Sequence, residues 1–326
     1  AGGFLGAEIV ADDSGYFRID KIFPGQNWSD PFRSPLTEAG ANVKAGDFIL
    51  AVDGVPANSV QNFYQLLENK AGRVVRLSVN SSANRSGARD VEVKTIGSEE
   101  GLRYLDWIQK RRAMVDKLSG GRIGYIHLPN TLFEGNRELF KQFPAQINKD
   151  ALIVDDRYNG GGFIPDRMIE ILARKPLNYW KRRGLEPQAQ PFLSHRGPKA
   201  MLINGLSSSG GDALPFYFRE LKLGTLIGTR TWGGLIGVSG NPGLVDGGTV
   251  TAATFRFMDK DGNWAVENEG VSPDIEVIDT PHLVAQGRDP SLEKAVEVLL
   301  AELDKNPLPE VVAPPAPSNF GKPGQP

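Results

Sequence analysis

ALIVDDRYNGGGF, residues 151–163, decides how the second half of this chain folds. Its first four residues are apolar without alternation, which suits a strand buried on both faces. Two aspartates then end the run, three consecutive glycines follow, and Pro165 opens a helical pattern over Pro165–Ala173. A strand, a glycine loop and a helix in that order make half of a parallel crossover unit. The same grammar repeats on both sides. IGYIHL (123–128) precedes a helix over Glu134–Phe143; AMLING (200–205) precedes one over Asp212–Leu221; TLIGT (225–229) supplies a further strand. TVTAATFRFMDKDGNWAVE (249–267) reads as a β-hairpin turning at Asp261–Gly262, and Pro290–Leu303 as an amphipathic helix.

Upstream the period changes. LGAEIV, YFRIDKIF, DFILAVDG, VVRLSVN and ARDVEVKTI are strand candidates separated by polar and Gly/Pro turns. One helix is expected over Val60–Asn69, capped by Asn58 or Ser59. LRYLDWIQKRRAMVDKL (102–118) then has helical spacing and stops at Gly120–Gly121. The expected division is a β-rich domain over 1–97, a helical connector over 98–121, an α/β core over 122–304 and a Pro-rich, extended or disordered tail over 305–326.

Composition narrows the function classes. The 326 residues carry a net charge of −2, which gives no reason to expect nucleic acid or an anionic membrane surface. No apolar run is long enough to span a bilayer. There are no cysteines, so thiolate metal sites and a cysteine nucleophile are excluded. His127, His195 and His282 lie far apart without ligand spacing, so neither a metal nor another cofactor is expected. The chain opens on Ala1, almost inside a strand-like segment, and reads as a piece of something longer.

Three stretches carry chemistry. NGLSSSGGD (204–212) joins a strand to a helix N-terminus, where N–H groups and the helix dipole favour developing negative charge. Taken alone it reads rather as a Ser/Gly turn with Asp212 as N-cap, since such turns are ordinary punctuation. DRYNGGGF (156–163) places Gly160, Gly161 and Gly162 at the carboxyl end of a parallel strand, where open α/β sheets bind ligands. WAVENEGVSPD (264–274) offers Glu267 and Glu269, which by spacing alone are surface carboxylates.

In this order, with GTRTWGGLIG (228–237) between, these stretches resemble the tricorn-type, tail-specific peptidase superfamily in its Ser-His-Ser-Glu branch. SPLTEAGANVKAGDFILAVDGV (34–55) resembles its PDZ-like domain and LRYLDW its connector. GRIGYIHLPN, LGTLIGTRTWGG and ENEGVSPDIEV resemble its peptidase core. The resemblance implies a PDZ-like domain before an α/β serine endopeptidase core. It implies Ser209 as nucleophile, Gly162 and Gly210 as the oxyanion hole, and Glu267 as the distal carboxylate. Gly160, Gly161, Tyr179 and Trp180 are the expected substrate contacts. The family's histidine and its neighbouring serine lie upstream of the PDZ-like domain, so this chain is expected to be inactive by itself. A Ser-Lys dyad is disfavoured, because Thr231–Gly234 carries no lysine. The segment Asn178–Lys181 lacks a carboxylate, which implies a P1 preference that is not basic. Peptide or unfolded-protein substrates, a hexameric homo-oligomer and a cytoplasmic location complete the expectation. The competing reading is a peptide-binding module that adds a strand beside LGAEIV, with the core as inactive scaffold.

Overall fold

The computed structural model describes residues 1–315, and the part of the expected tail beyond Pro315 lies outside the described residues. The chain divides into two units, Ala1–Arg111 and the remainder from Arg112.

In the first unit, short alternating segments become strands β1 (Ala7–Ala11), β2 (Phe17–Ile22), β3 (Phe48–Val52), β4 (Val55–Pro56), β5 (Val74–Asn80) and β6 (Arg89–Lys94). They pair antiparallel in the order β1-β2-β3-β5-β6, with β4 on β3. β5 and β6 alternate buried and exposed residues, and the inward set joins Ile19, Ile49, Leu67 and Phe63 in one core. The helix expected over Val60–Asn69 is a shorter 3-10 helix, Phe63–Leu67. Its cap is Asn62, whose Oδ1 accepts from the Tyr64 N–H at 3.0 Å, rather than Asn58 or Ser59. A long helix follows as α1 (Glu100–Ser119), and Gly120 and Gly121 stop it at φ 60° and 80°.

The second unit is a parallel sheet with crossover helices. β7 (Ile123–His127), α2 (Phe133–Gln142), β8 (Ala151–Asp155) and α3 (Pro165–Leu172) come first. A small exposed hairpin, β9 (Asn178–Trp180) with β10 (Gln188–Gln190), precedes β11 (Lys199–Ile203), α4 (Gly210–Glu220) and β12 (Gly224–Gly228). β13 (Ile275–Glu276), α5 (Pro281–Ala285) and α6 (Pro290–Lys305) close the unit. The order β13-β12-β11-β8-β7 is parallel throughout. Every residue of β7, β8 and β11 is buried, as their apolar runs at 123–126, 151–154 and 200–203 require, and His127, Asp155 and Lys199 are carried in at their ends. At roughly 1.5–3 kcal/mol per fully buried large aliphatic side chain, these strands and the inner faces of α2, α3 and α4 supply the driving force for the unit.

The hairpin expected over 249–267 does not form a ladder. Only single bridges occur there, Gly237↔Phe255, Gly243↔Thr249 and Met258↔Trp264. The turn itself is present. The Asp259 carboxylate accepts from the N–H groups of Asp261 and Asn263, which fixes the reversal without flanking strand pairs.

Candidate active site

Because the sheet is parallel, the loops after β8, β11 and β12 all leave its carboxyl edge. The loop after β11 is the tight one. Ser209 stands between β11 and α4 at φ 54°, ψ −114°, and its side chain caps no helix N–H. Such a backbone costs a residue with a Cβ roughly 1–3 kcal/mol. It projects the hydroxyl clear of the helix at a strand-to-helix turn, as a nucleophile requires. The strain is held in place from three sides. The Ser209 N–H donates to the Gly234 carbonyl at 3.0 Å, its carbonyl accepts from Asp212 and Ala213, and the Ser208 N–H donates to the Asn159 carbonyl at 2.9 Å.

The loop after β8 runs alongside. Ser207 Oγ donates to the Asp156 carbonyl at 2.8 Å, and the Tyr158 N–H donates to Asn204 Oδ1 at 3.1 Å. Gly161 and Gly162 have φ 81° and 137°, both closed to ordinary side chains. A Cβ on Gly161 would lie 2.7 Å from Ser209 Cβ, and one on Gly210 would lie 2.9 Å from Gly162 N. The three glycines are therefore the condition for the two loops to touch. The N–H groups of Gly162 and Gly210 donate to no other group among the described residues. Two unengaged amides beside a serine, one at a helix N-terminus, are suited to hold an oxyanion. Thr131 fixes the first of them, donating its N–H to the Gly161 carbonyl at 2.8 Å and accepting from the Ile164 N–H at 2.9 Å.

The strap after β12 links this pair to the glutamate. Asp212 is not the N-cap that the bare turn suggested. Its carboxylate reaches across to the strap, accepting from Thr231 Oγ1 at 2.5 Å and from the N–H groups of Gly233 and Gly234 at 2.8 and 3.3 Å. Burial pushes the Asp212 carboxyl up, and these donors hold it down against that. Gly234 then holds Ser209, and the next two amides, Leu235 and Ile236, donate to Glu267 Oε2 at 2.6 and 2.8 Å. Ser209, Gly162 and Gly210 line a cavity of about 250 Å³ with Tyr217, Leu235 and Phe257. Glu267 lines a neighbouring cavity of about 320 Å³, and Ile236, Arg256 and Phe257 line both.

Other expected residues lie apart. Gly160 donates its N–H to the Pro129 carbonyl. Tyr179 and Trp180 are on the β9–β10 hairpin and do not line either cavity; nor, among the described residues, does any histidine or lysine. His127 is buried, with Nε2 3.0 Å from the Arg157 carbonyl. His195 is buried, with Nε2 2.9 Å from the Lys149 carbonyl, and burial together with Lys199 lowers it to about 4. His282 is exposed on α5. Asp212, Thr131 and the Gly233–Ile236 strap were not identified by sequence reasoning; their partners are far away in the chain. Among the described residues no cluster of three or more metal-ligating side chains occurs, and no helix is long and apolar enough to cross a membrane.

Residues 3–98 match the tricorn protease PDZ domain, and residues 122–277 match peptidase family S41. Tricorn protease homolog 1 of Streptomyces coelicolor is 37% identical over 305 residues, covering 94% of this chain and 28% of that protein. Tricorn protease of Thermoplasma volcanium is 36% identical over 296 residues, covering 90% of this chain and 28% of that protein. A crystal structure of the tricorn protease aligns with a TM-score of 0.86 at 33% identity, over 93% of this chain and 29% of that one. The chain thus spans a little over a quarter of the length of these relatives. With both matched segments and these relatives in agreement, the chain carries a tricorn protease PDZ domain followed by a peptidase family S41 domain.

Proposed function

We propose that this chain carries the nucleophile, oxyanion hole and distal carboxylate of a serine endopeptidase that cleaves peptides or unfolded polypeptide through an acyl-enzyme. One observation carries the reading: Ser209, strained at a strand-to-helix turn, shares a cavity with the unengaged amides of Gly162 and Gly210. Ser209 Oγ attacks the scissile carbonyl, whose oxygen becomes the oxyanion between those two amides. The proton of Oγ passes to a histidine supplied from outside this sequence, which returns it to the leaving amine. Glu267, fixed by Leu235 and Ile236, keeps its other carboxylate oxygen for the groups that orient that histidine.

Ala213, Leu235 and Phe257 wall a cavity whose lining also carries the opposite charges of Asp166 and Arg256, and this mainly apolar surface supports an apolar rather than a basic P1 side chain. Tyr179 and Trp180 remain candidates for contacts further along the substrate. By resemblance alone, the reading extends to a cytoplasmic homo-oligomer, a hexamer. Without its base the isolated chain turns over negligibly, since a neutral serine hydroxyl is a poor nucleophile.

The test compares the intact parent polypeptide with its Ser209→Ala variant on fluorogenic peptides carrying Leu or Lys at P1. We expect cleavage after Leu, lost by several orders of magnitude in the variant. Equal activity in both proteins would discard Ser209 as nucleophile.

A further inference from the structure

Among the described residues, the charged side chains lining the Ser209 cavity are Asp166 and Arg256, and those lining the Glu267 cavity are Arg256 and Glu267. Arg256 is common to both, so it marks the place where the two cavities meet. The chain around it is fixed. Phe255 accepts the Gly237 N–H at 3.0 Å, and its ring covers that glycine so closely that a Cβ there would overlap the ring carbons. On the other side, Phe257 packs edge-on against Phe216 with 5.0 Å between ring centroids. Gly237 continues the strap in which Leu235 and Ile236 hold Glu267. Arg256 is thus mounted on the wall of the site.

The exposed guanidinium of Arg256 is held in position but not used. It lies over the Trp264 ring, 5.4 Å from the centroid. Among the described residues it makes no ion pair and donates no hydrogen bond, although Asp166 and Glu267 line the same two cavities. Stacking on Trp264 restricts its rotamers before any ligand arrives, which lessens the entropy lost on binding. Its planar fork of N–H donors remains available, and a carboxylate is the group of a polypeptide that fits such a fork with two parallel bonds. The mainly apolar lining of the Ser209 cavity suits the P1 side chain. A carboxylate at the junction therefore belongs to an adjoining residue of the substrate.

We infer that Arg256 is a specificity-determining residue that binds the carboxylate of an acidic side chain, Asp or Glu, next to the apolar P1 residue. The inference rests on the reading of Ser209 as the nucleophile. Preferred substrates are then segments in which an acidic and an apolar residue adjoin. The preference weakens with added salt, because the ion pair forms at a solvent-exposed guanidinium.

The test measures kcat/KM of the intact parent polypeptide on internally quenched peptides with Leu at P1 and Glu, Gln or Lys at P2 or at P1′. Both peptide ends are capped, so the carboxylate read is the one on the side chain. At one of the two positions Glu is expected to exceed Gln by about fivefold, the upper end for an exposed ion pair. Arg256→Gln should abolish that preference, and Arg256→Glu should reverse it in favour of Lys. Arg256→Lys keeps the charge without the fork and should retain part of it. An unaltered preference in a folded Arg256→Gln protein, or no preference for Glu in the unsubstituted one, would overturn the inference. Thermal unfolding checks the folding of each variant. If the parent cleaves none of the peptides, it is the Ser209 reading that fails. The preference is then read as binding of the same peptides by anisotropy, with the same two outcomes.

Discussion

Gly210 is where one atom decides the proposed chemistry. A Cβ there would collide with Thr131 Oγ1, lie 2.5 Å from the Gly162 carbonyl oxygen and 2.9 Å from Gly162 N. None of these is the far end of a flexible side chain. A Gly210→Ala substitution must therefore push the loop after β8 away from the turn after β11. The helix itself would not suffer, since alanine is the better helix former. We expect kcat in the parent enzyme to fall roughly 10²–10³-fold, the range for losing one oxyanion donor, with KM much less affected. Thermal stability should drop by about 1–3 kcal/mol, the range for overpacking a tight site. A Gly210→Ala enzyme of unchanged kcat would remove this amide from the proposed hole. Gly162, at φ 137°, admits no such test, because any side chain there strains the backbone before it touches a neighbour.

At the scale of elements, the loop after β8 is held from below by a buried charge cluster. Arg157, 3% exposed at its side chain, donates to Asp155 at 2.6 Å, to Asp289 at 2.7 Å, to Asp279 at 3.0 Å and to Ser291 Oγ at 2.9 Å. It ties the glycine loop to the start of α6. Burial pushes Asp155 up, yet the Arg157 guanidinium and the Tyr125 hydroxyl hold it below the usual carboxylate range. Replacing Arg157 by Met would leave these carboxylates without their counter-charge. The expected loss is about 3–5 kcal/mol, seen as a lower midpoint in denaturant, while an unchanged midpoint would show the cluster to be dispensable. Nothing in DRYN announces this role, because Asp279 and Asp289 lie more than a hundred residues downstream. The parallel strands were legible because fully buried strands write themselves as unbroken apolar runs, and the glycines because a close approach allows nothing else. The strap was not. Thr231–Ile236 has no period, and what fixes it is the Asp212 carboxylate on α4, which reads locally as a helix cap. The hairpin expected over 249–267 failed for the converse reason: alternation and an Asp-Gly turn were present, but the flanks pair only at isolated bridges.

Over the whole molecule, net charge is too small to govern stability, so pH acts through particular buried groups. Two of them adjoin at the end of β11 away from the candidate site. Burial, then the Lys199 ammonium, lowers His195 to about 4, while burial, then Lys175, lowers Lys199 to about 8. Both groups resist protonation in the folded chain more than in the unfolded one. For His195 the unfolded chain binds the extra proton between about 6.5 and 4, so stability falls as pH drops through that window, by about 3 kcal/mol in all. For Lys199 the corresponding window runs from about 10.5 down to 8, and below it the cost of a buried ammonium is present in full. Among the described residues its only acceptors are the carbonyls of His195 and Gly197, both at 3.3 Å. Replacing Lys199 by Met keeps the apolar stem and removes the charge. The variant should therefore be more stable at pH 7 by about 2–3 kcal/mol, a thermal midpoint higher by roughly 4–10 °C. It should also lose less stability than the unsubstituted protein between pH 6.5 and 4, because the cation that helps to hold His195 neutral is gone. Midpoints measured across both windows decide the matter. A Lys199→Met protein that melts lower at pH 7 would mean that the ammonium stabilises the end of β11 instead of burdening it.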